Sequence, residues 1–106
     1  MIILRNREEM EKYYVKEVNT YVFKDNVEFL FEVEVKAHIK AHNIKIHNIK
    51  AWNINAYDIN ADNINYYAVC FASANIECNT IKGRRPNAKH FVLDGELIVR
   101  GEENDK

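Results

Sequence analysis

The residues whose types could do chemistry are four histidines, two cysteines and one pair of adjacent arginines: His38, His42, His47, His90, Cys70, Cys78, Arg84 and Arg85. A zinc site needs ligands that converge at about 2 Å from the metal. His42 and His47 are five residues apart with a turn expected between them, so they should point away from each other. Surface roles are expected for the histidines. Cys70 and Cys78 form no CxxC pair and have no His or acid at a spacing that would make a nucleophile. There is no glycine-rich phosphate loop and no carboxylate pair with the logic of a site. A non-enzymatic protein with no metal and no cofactor is expected. Arg84 and Arg85 suit a phosphate or carboxylate, or simply a basic loop.

The element that must position these residues is a repeat. From Ile39 the chain reads IKAHN, IKIHN, IKAWN, INAYD, INADN, INYYA. It decays through VCFAS and ANIEC toward Ile81. One apolar column is Ile39, Ile44, Ile49, Ile54, Ile59, Ile64, Val69 and Ala74; a second is Ala41, Ile46, Ala51, Ala56, Ala61, Tyr66, Phe71, Ile76 and Ile81. The columns are two residues apart, so both point to one side of an extended segment. A period of five forms no stable face on a helix and flips alternate residues on a flat strand. It fits a chain that turns a corner every five residues. Four such segments would make a square coil of about 20 residues, stacked on its neighbours about 4.8 Å apart.

This pattern resembles the pentapeptide-repeat family over residues 37 to 82. The family's order of small then large inward residue is reversed here, as in Ile54-Asn55-Ala56. The resemblance implies an all-β, right-handed quadrilateral β-helix, frequent homodimers, and no catalytic residues to carry over. Some members imitate duplex DNA and occupy the DNA site of a topoisomerase.

The repeat needs caps. Residues 1–36 are expected to supply one, with Asn6 capping a short helix whose apolar side is Met10, Tyr13 and Tyr14. A half-buried strand is expected from Val27 to Lys36, where apolar and polar residues nearly alternate. Residues 83–106 are expected to give a loop at Gly83-Arg84-Arg85-Pro86-Asn87 and then a hairpin turning at Asp94-Gly95. Residues after Gly101 are charged and expected to fray. The whole is read as one domain of 106 residues.

Within the repeat, Asn43, Asn48, Asn53, Asp58 and Asn63 fall at expected corners, where such residues tolerate turns and bond their own backbone. Lys40, Lys45 and Lys50 share a column but belong to three different faces, so no basic ladder is expected. Trp52, Tyr57 and Tyr67 sit in the outward column and mark a contact surface or pack under the caps. A partner-binding set follows: Trp52, Tyr57, Asp58, Asp62, Tyr67, Arg84 and Arg85. A self-association set is Tyr66, Phe71, Phe91, Leu93 and Leu97.

Net charge is −1, with 15 basic and 16 acidic side chains, which argues against binding nucleic acid by bulk charge and against a strongly acidic DNA mimic. No apolar run is long enough for a membrane span or signal peptide, and the cysteines suggest a reducing compartment, so a cytoplasmic location is expected. The leading expectation is a small inhibitor or adaptor of a nucleic-acid-handling protein. A Lys/Asn/Ile-rich, phage-like chain adds a CRISPR or other defence nuclease to topoisomerase as a target. The alternatives are a self-assembling structural module and a direct binder of single-stranded nucleic acid.

Overall fold

In a computed structural model, which describes residues 1–101, one strand runs unbroken for 36 residues, from Asn43 to Cys78. Fully extended it would measure about 120 Å. The longest dimension of the molecule is 41 Å, so this strand must wind. The elements in order are β1 (Ile2–Leu4), α1 (Arg7–Glu11), β2 (Tyr14–Val15), a 3-10 turn (Lys16–Val18), β3 (Thr20–Val22), β4 (Val27–Phe29), β5 (Val33–Glu34), β6 (His38–Lys40), the long β7 (Asn43–Cys78), β8 (Thr80–Gly83), β9 (Lys89–Val92) and β10 (Leu97–Val99). Their pairing is parallel, except that β2 runs antiparallel to β3. The fold is an all-β solenoid.

The coil differs from the square one expected. Through the regular repeat, side chains one coil apart are 15 residues apart: His38 with Asn53, His47 with Asp62, and Asn48 with Asn63. Ile39 accordingly pairs in register with Ile54. Fifteen residues are three five-residue segments, so the cross-section is three-sided. A five-residue period fixes where corners fall but not how sharply they bend. Three sides enclose less space than four, and the Ile-plus-Ala inward pair fills it. Ile39, Ile44, Ile49, Ile54, Ile59 and Ile64 are buried, as are Ala51, Ala56 and Ala61.

The expected phase also slips after Tyr66. Val69 is exposed, and Phe71 and Ala74 are half-buried, while Cys70, Ala72, Ile76 and Cys78 take the inward positions. The corners at residues 67–69 and 73–75 each hold one extra residue. Coil spacing there lengthens to 16 and 17 residues, as in the Val69–Asn53 and Asn75–Asp58 contacts.

The solenoid extends beyond residues 37–82 on both sides. Val27 pairs with Ile44 and Val33 with Ile49, so the alternating stretch from residue 27 is part of a coil, with a corner at residues 30–32, and not one straight strand. The expected C-terminal hairpin is absent too. β9 and β10 each pair in parallel with β7, Phe91 with Phe71 and Leu97 with Ile76, and so continue the coil. Residues 93–96 form a corner between them. Gly95 has no positive φ, so it makes no hairpin turn of the kind expected. The expected fraying concerns residues after Gly101, outside the described residues.

The N-terminal end is plugged. The Asn6 side chain accepts a 3.0 Å hydrogen bond from the Glu9 amide and caps α1. Met10, fully buried, closes the core. Tyr13 and Tyr14 lie beyond the short helix and pack on Phe23 and Tyr21, at 4.8 and 4.9 Å between ring centroids. Each corner is braced by side-chain bonds between coils. In one ladder Thr80 Oγ1 donates to Asn63, Asn63 to Asn48, and Asn48 to Glu32, at 2.6–2.7 Å. Corner residues are expected to bond their own turns; Asn48, Asn53, Asp58 and Asn63 instead find partners in the neighbouring coils, while Asn43 Oδ1 is buried without a hydrogen-bond partner.

Candidate functional site

The three-sided coil sorts the expected contact residues onto three corners. Trp52 follows the inward Ala51, at the corner before Ile54. The Trp52 amide donates to Ala37 O (2.9 Å), one coil back. One coil on, Tyr67 holds the same place after Tyr66. The next coil ends in Arg84 and Arg85, whose amides donate to Tyr66 O and Tyr67 O at 2.9 and 3.0 Å. The 15-residue coil and this pairing therefore stack Trp52, Tyr67 and the two arginines in one column. Asn53 stiffens the corner: its amide nitrogen meets His38 Nδ1 at 3.0 Å, and its Oδ1 accepts from the Val69 amide at 2.9 Å.

The side chains in this column face solvent. Trp52 is 37% exposed and Tyr67 45%. Both guanidinium carbons lie 5.8 Å from the Tyr67 ring centroid, within cation–π range. Trp52 is met edge-on by the His38 ring at 6.0 Å. Lys36, Trp52, Tyr67 and Arg84 line an open cleft of about 520 Å³. Among the described residues, Lys36, Arg84 and Arg85 enter no ion pair. The corner thus offers two aromatic faces among three uncompensated cations. Lys36 is not among the expected contact residues and His38 is expected only as a surface histidine, because their place beside Trp52 shows only once the coil length is known.

Tyr57 and Asp58 lie on a second corner. Tyr57 stacks on His42, with ring centroids 5.2 Å apart and planes within 8°. Asp58 Oδ1 accepts from both the amide and the side chain of Asn75. Asp62 lies on the third corner, 2.7 Å from His47 Nδ1. These three do not join Trp52. Lys40 pairs in register with Asn55, and Lys50 lies 3.5 Å from Glu34, so these lysines form no basic ladder.

The self-association set divides as well. Tyr66 is buried (1% exposed) and offers nothing to a partner. Its hydroxyl shares a 2.6 Å hydrogen bond with His90 Nδ1, and its ring lies against bare Gly83, where an added Cβ would stand 2.8 Å from it. His90 is therefore half-buried at an inward position, not on the surface. Phe71 and Phe91 pack outward at 5.0 Å, and Phe91, Leu93 and Leu97 are exposed.

Both cysteines are buried. Burial, with Cys78 nearby, pushes the Cys70 thiol up to about 12, so it stays protonated near neutral pH and makes a poor nucleophile. Among the described residues no group of three His, Cys, Asp or Glu side chains is placed to hold a metal, and no helix is long and apolar enough to cross a membrane. No family model matches the chain, and searches of curated proteins and of solved structures return no match.

Proposed function

We propose that the protein is a non-enzymatic binding protein, an inhibitor or adaptor of a protein that handles nucleic acid, with a topoisomerase or a CRISPR or other defence nuclease as the target class. The repeat's resemblance to pentapeptide-repeat proteins supports a topoisomerase, and the Lys/Asn/Ile-rich composition supports a defence nuclease. The observation that carries the binding role is the single exposed column of Trp52, Tyr67, Arg84 and Arg85 on a braced corner. Exposed aromatics and arginines are the side chains that dominate macromolecular contacts.

The test is affinity capture by tagged protein from nuclease-treated lysate, comparing wild type with Trp52→Ala/Tyr67→Ala. The expected result is a nucleic-acid enzyme that the double variant loses and a Tyr57→Ala control keeps. Equal capture by all three would refute the corner as the contact surface.

A second reading, self-assembly into a homodimer, is favoured by the exposed Phe91, Leu93, Leu97 and Ile98 on the last coil. Sedimentation showing a dimer that Leu93→Asp dissociates supports it. A monomer at high concentration rejects it.

A further inference from the structure

The Trp52 corner carries a more specific signature than a protein contact requires. Backbone bonds set Trp52 over Ala37 and Arg84 and Arg85 over Tyr66 and Tyr67; the Val69–Asn53 bond joins the two middle coils, so Lys36, Trp52, Tyr67 and Arg84, which line one cleft, occupy four successive coils. Three coil steps are about 14 Å. A row of that length spans a few nucleotides of a single strand. Cations stand at both ends of the row and aromatic rings in the middle. The acids Asp58 and Asp62 lie on the other two corners, tied to Asn75 and His47. These two acids of the repeat therefore lie away from the row, although the net charge is only −1.

We infer that this corner binds single-stranded nucleic acid, with bases stacking on Trp52 and Tyr67 and phosphates held by Lys36, Arg84 and Arg85. The inference rests on the reading of this corner as the contact surface and goes beyond the proposed protein target, giving the same corner a nucleic-acid ligand with which that target would compete. A flexible polyanion with planar bases satisfies both halves of the row: every base has a π-face, and the cations are sequence-blind. An acidic peptide satisfies the cations alone. A duplex keeps its bases stacked on each other and leaves the rings unused. Arg84 and Arg85, already ranged against Tyr67, add guanidinium planes on which a base also stacks.

Trp52 is the single tryptophan and so an intrinsic reporter of its own corner. The experiment titrates the full chain with a short oligothymidylate, the same sequence as duplex, and polyglutamate, following Trp52 fluorescence. The expected result is saturable quenching by the single strand, with little by the other two. With three cations engaged, affinity should fall about 20-fold between about 50 and about 200 mM salt. Arg84→Glu/Arg85→Glu and, separately, Tyr67→Leu should each weaken binding at least about tenfold, while Tyr57→Ala leaves it unchanged. Circular dichroism checks that each variant keeps its strands. Quenching by polyglutamate and not by oligothymidylate overturns the inference, as does quenching that survives both corner variants. So does silence with the oligonucleotide in low salt; if protein capture still depends on Trp52, the contact surface stands and only the nucleic-acid ligand falls.

Discussion

The Asn63 side-chain amide donates a 2.7 Å hydrogen bond to Asn48 Oδ1, 15 residues earlier and one full coil below. Asn48 in turn donates to Glu32 at 2.6 Å. Asn48→Ala removes the middle rung and strands a partner on each side. A hydrogen bond contributes about 1 kcal/mol net. Asn63→Ala likewise breaks two bonds, to Asn48 and Thr80, so the expected loss is about 1–2 kcal/mol for either variant by urea denaturation. A change of under a few tenths in both variants would mean that the ladder is ornamental and backbone pairing alone holds the corner.

Ala51 is fully buried on one side of the three-sided core, and Ile54 is fully buried on the next. Ala51 has no exposed surface into which a longer side chain could turn. Ala51→Leu should overpack and cost at least about 1–3 kcal/mol. Ile54→Ala should cost about 2–5 kcal/mol through the cavity it leaves. Equilibrium denaturation measures both. A neutral Ala51→Leu would argue for a roomier coil than three sides allow.

Gly95 is required by close approach and not by a left-handed backbone. A Cβ there would stand 1.9 Å from the Ala74 carbonyl oxygen and 2.5 Å from Asn75 Oδ1, the atom that accepts from the Glu96 amide. Gly95→Ala must push the last corner off the coil below. Amide hydrogen exchange at residues 97–99 should speed up by a factor equivalent to about 1–3 kcal/mol of lost protection, while residues 44–64 keep theirs. Uniform loss across the chain would show that the coils unfold as one block.

Two buried groups set an alkaline limit. Burial raises the Tyr66 hydroxyl from 10.0 to about 12 and the Cys70 thiol from 9.0 to about 12. In the unfolded chain both ionise at their ordinary values. The folded state therefore holds both protons more tightly, and their contribution is complete below about pH 9. It drains away as pH climbs from about 9 to about 12. The urea midpoint should fall across that window, and Tyr66→Phe with Cys70→Ala should flatten the fall. An identical pH profile in the double variant would assign alkaline unfolding to other groups.

The isoleucine column could be read directly, since each Ile enters the core once per corner and nothing polar interrupts it. The number of corners per coil could not, because a five-residue period serves three sides as well as four. One hint lay unused in the variable column. His42 and Tyr57, and Trp52 and Tyr67, are like-shaped pairs 15 residues apart, and the first pair stacks ring on ring. The phase slip after Tyr66 left no mark because both frames are apolar there: Val69 and Phe71 in one, Cys70 and Ala72 in the other. Asp94-Gly95 between two apolar runs reads as a hairpin, but what places it is the coil beneath, contacted through Ala74 and Asn75. The same missing quantity hid the site. By type Trp52, Tyr67, Arg84 and Arg85 fall in one set with Tyr57, Asp58 and Asp62, and only the coil length separates them out as one column.

The three-sided coil also fixes what length changes this protein tolerates. Duplicating 15 residues within the regular repeat adds one storey, and every residue downstream keeps its compass bearing. Duplicating five swings the rest of the chain by about a third of a turn. Such a chain would keep its isoleucine core, yet Arg84 would look out over a different corner from Trp52. The repeat visible to selection on stability is therefore five residues long, and the repeat visible to selection on binding is fifteen.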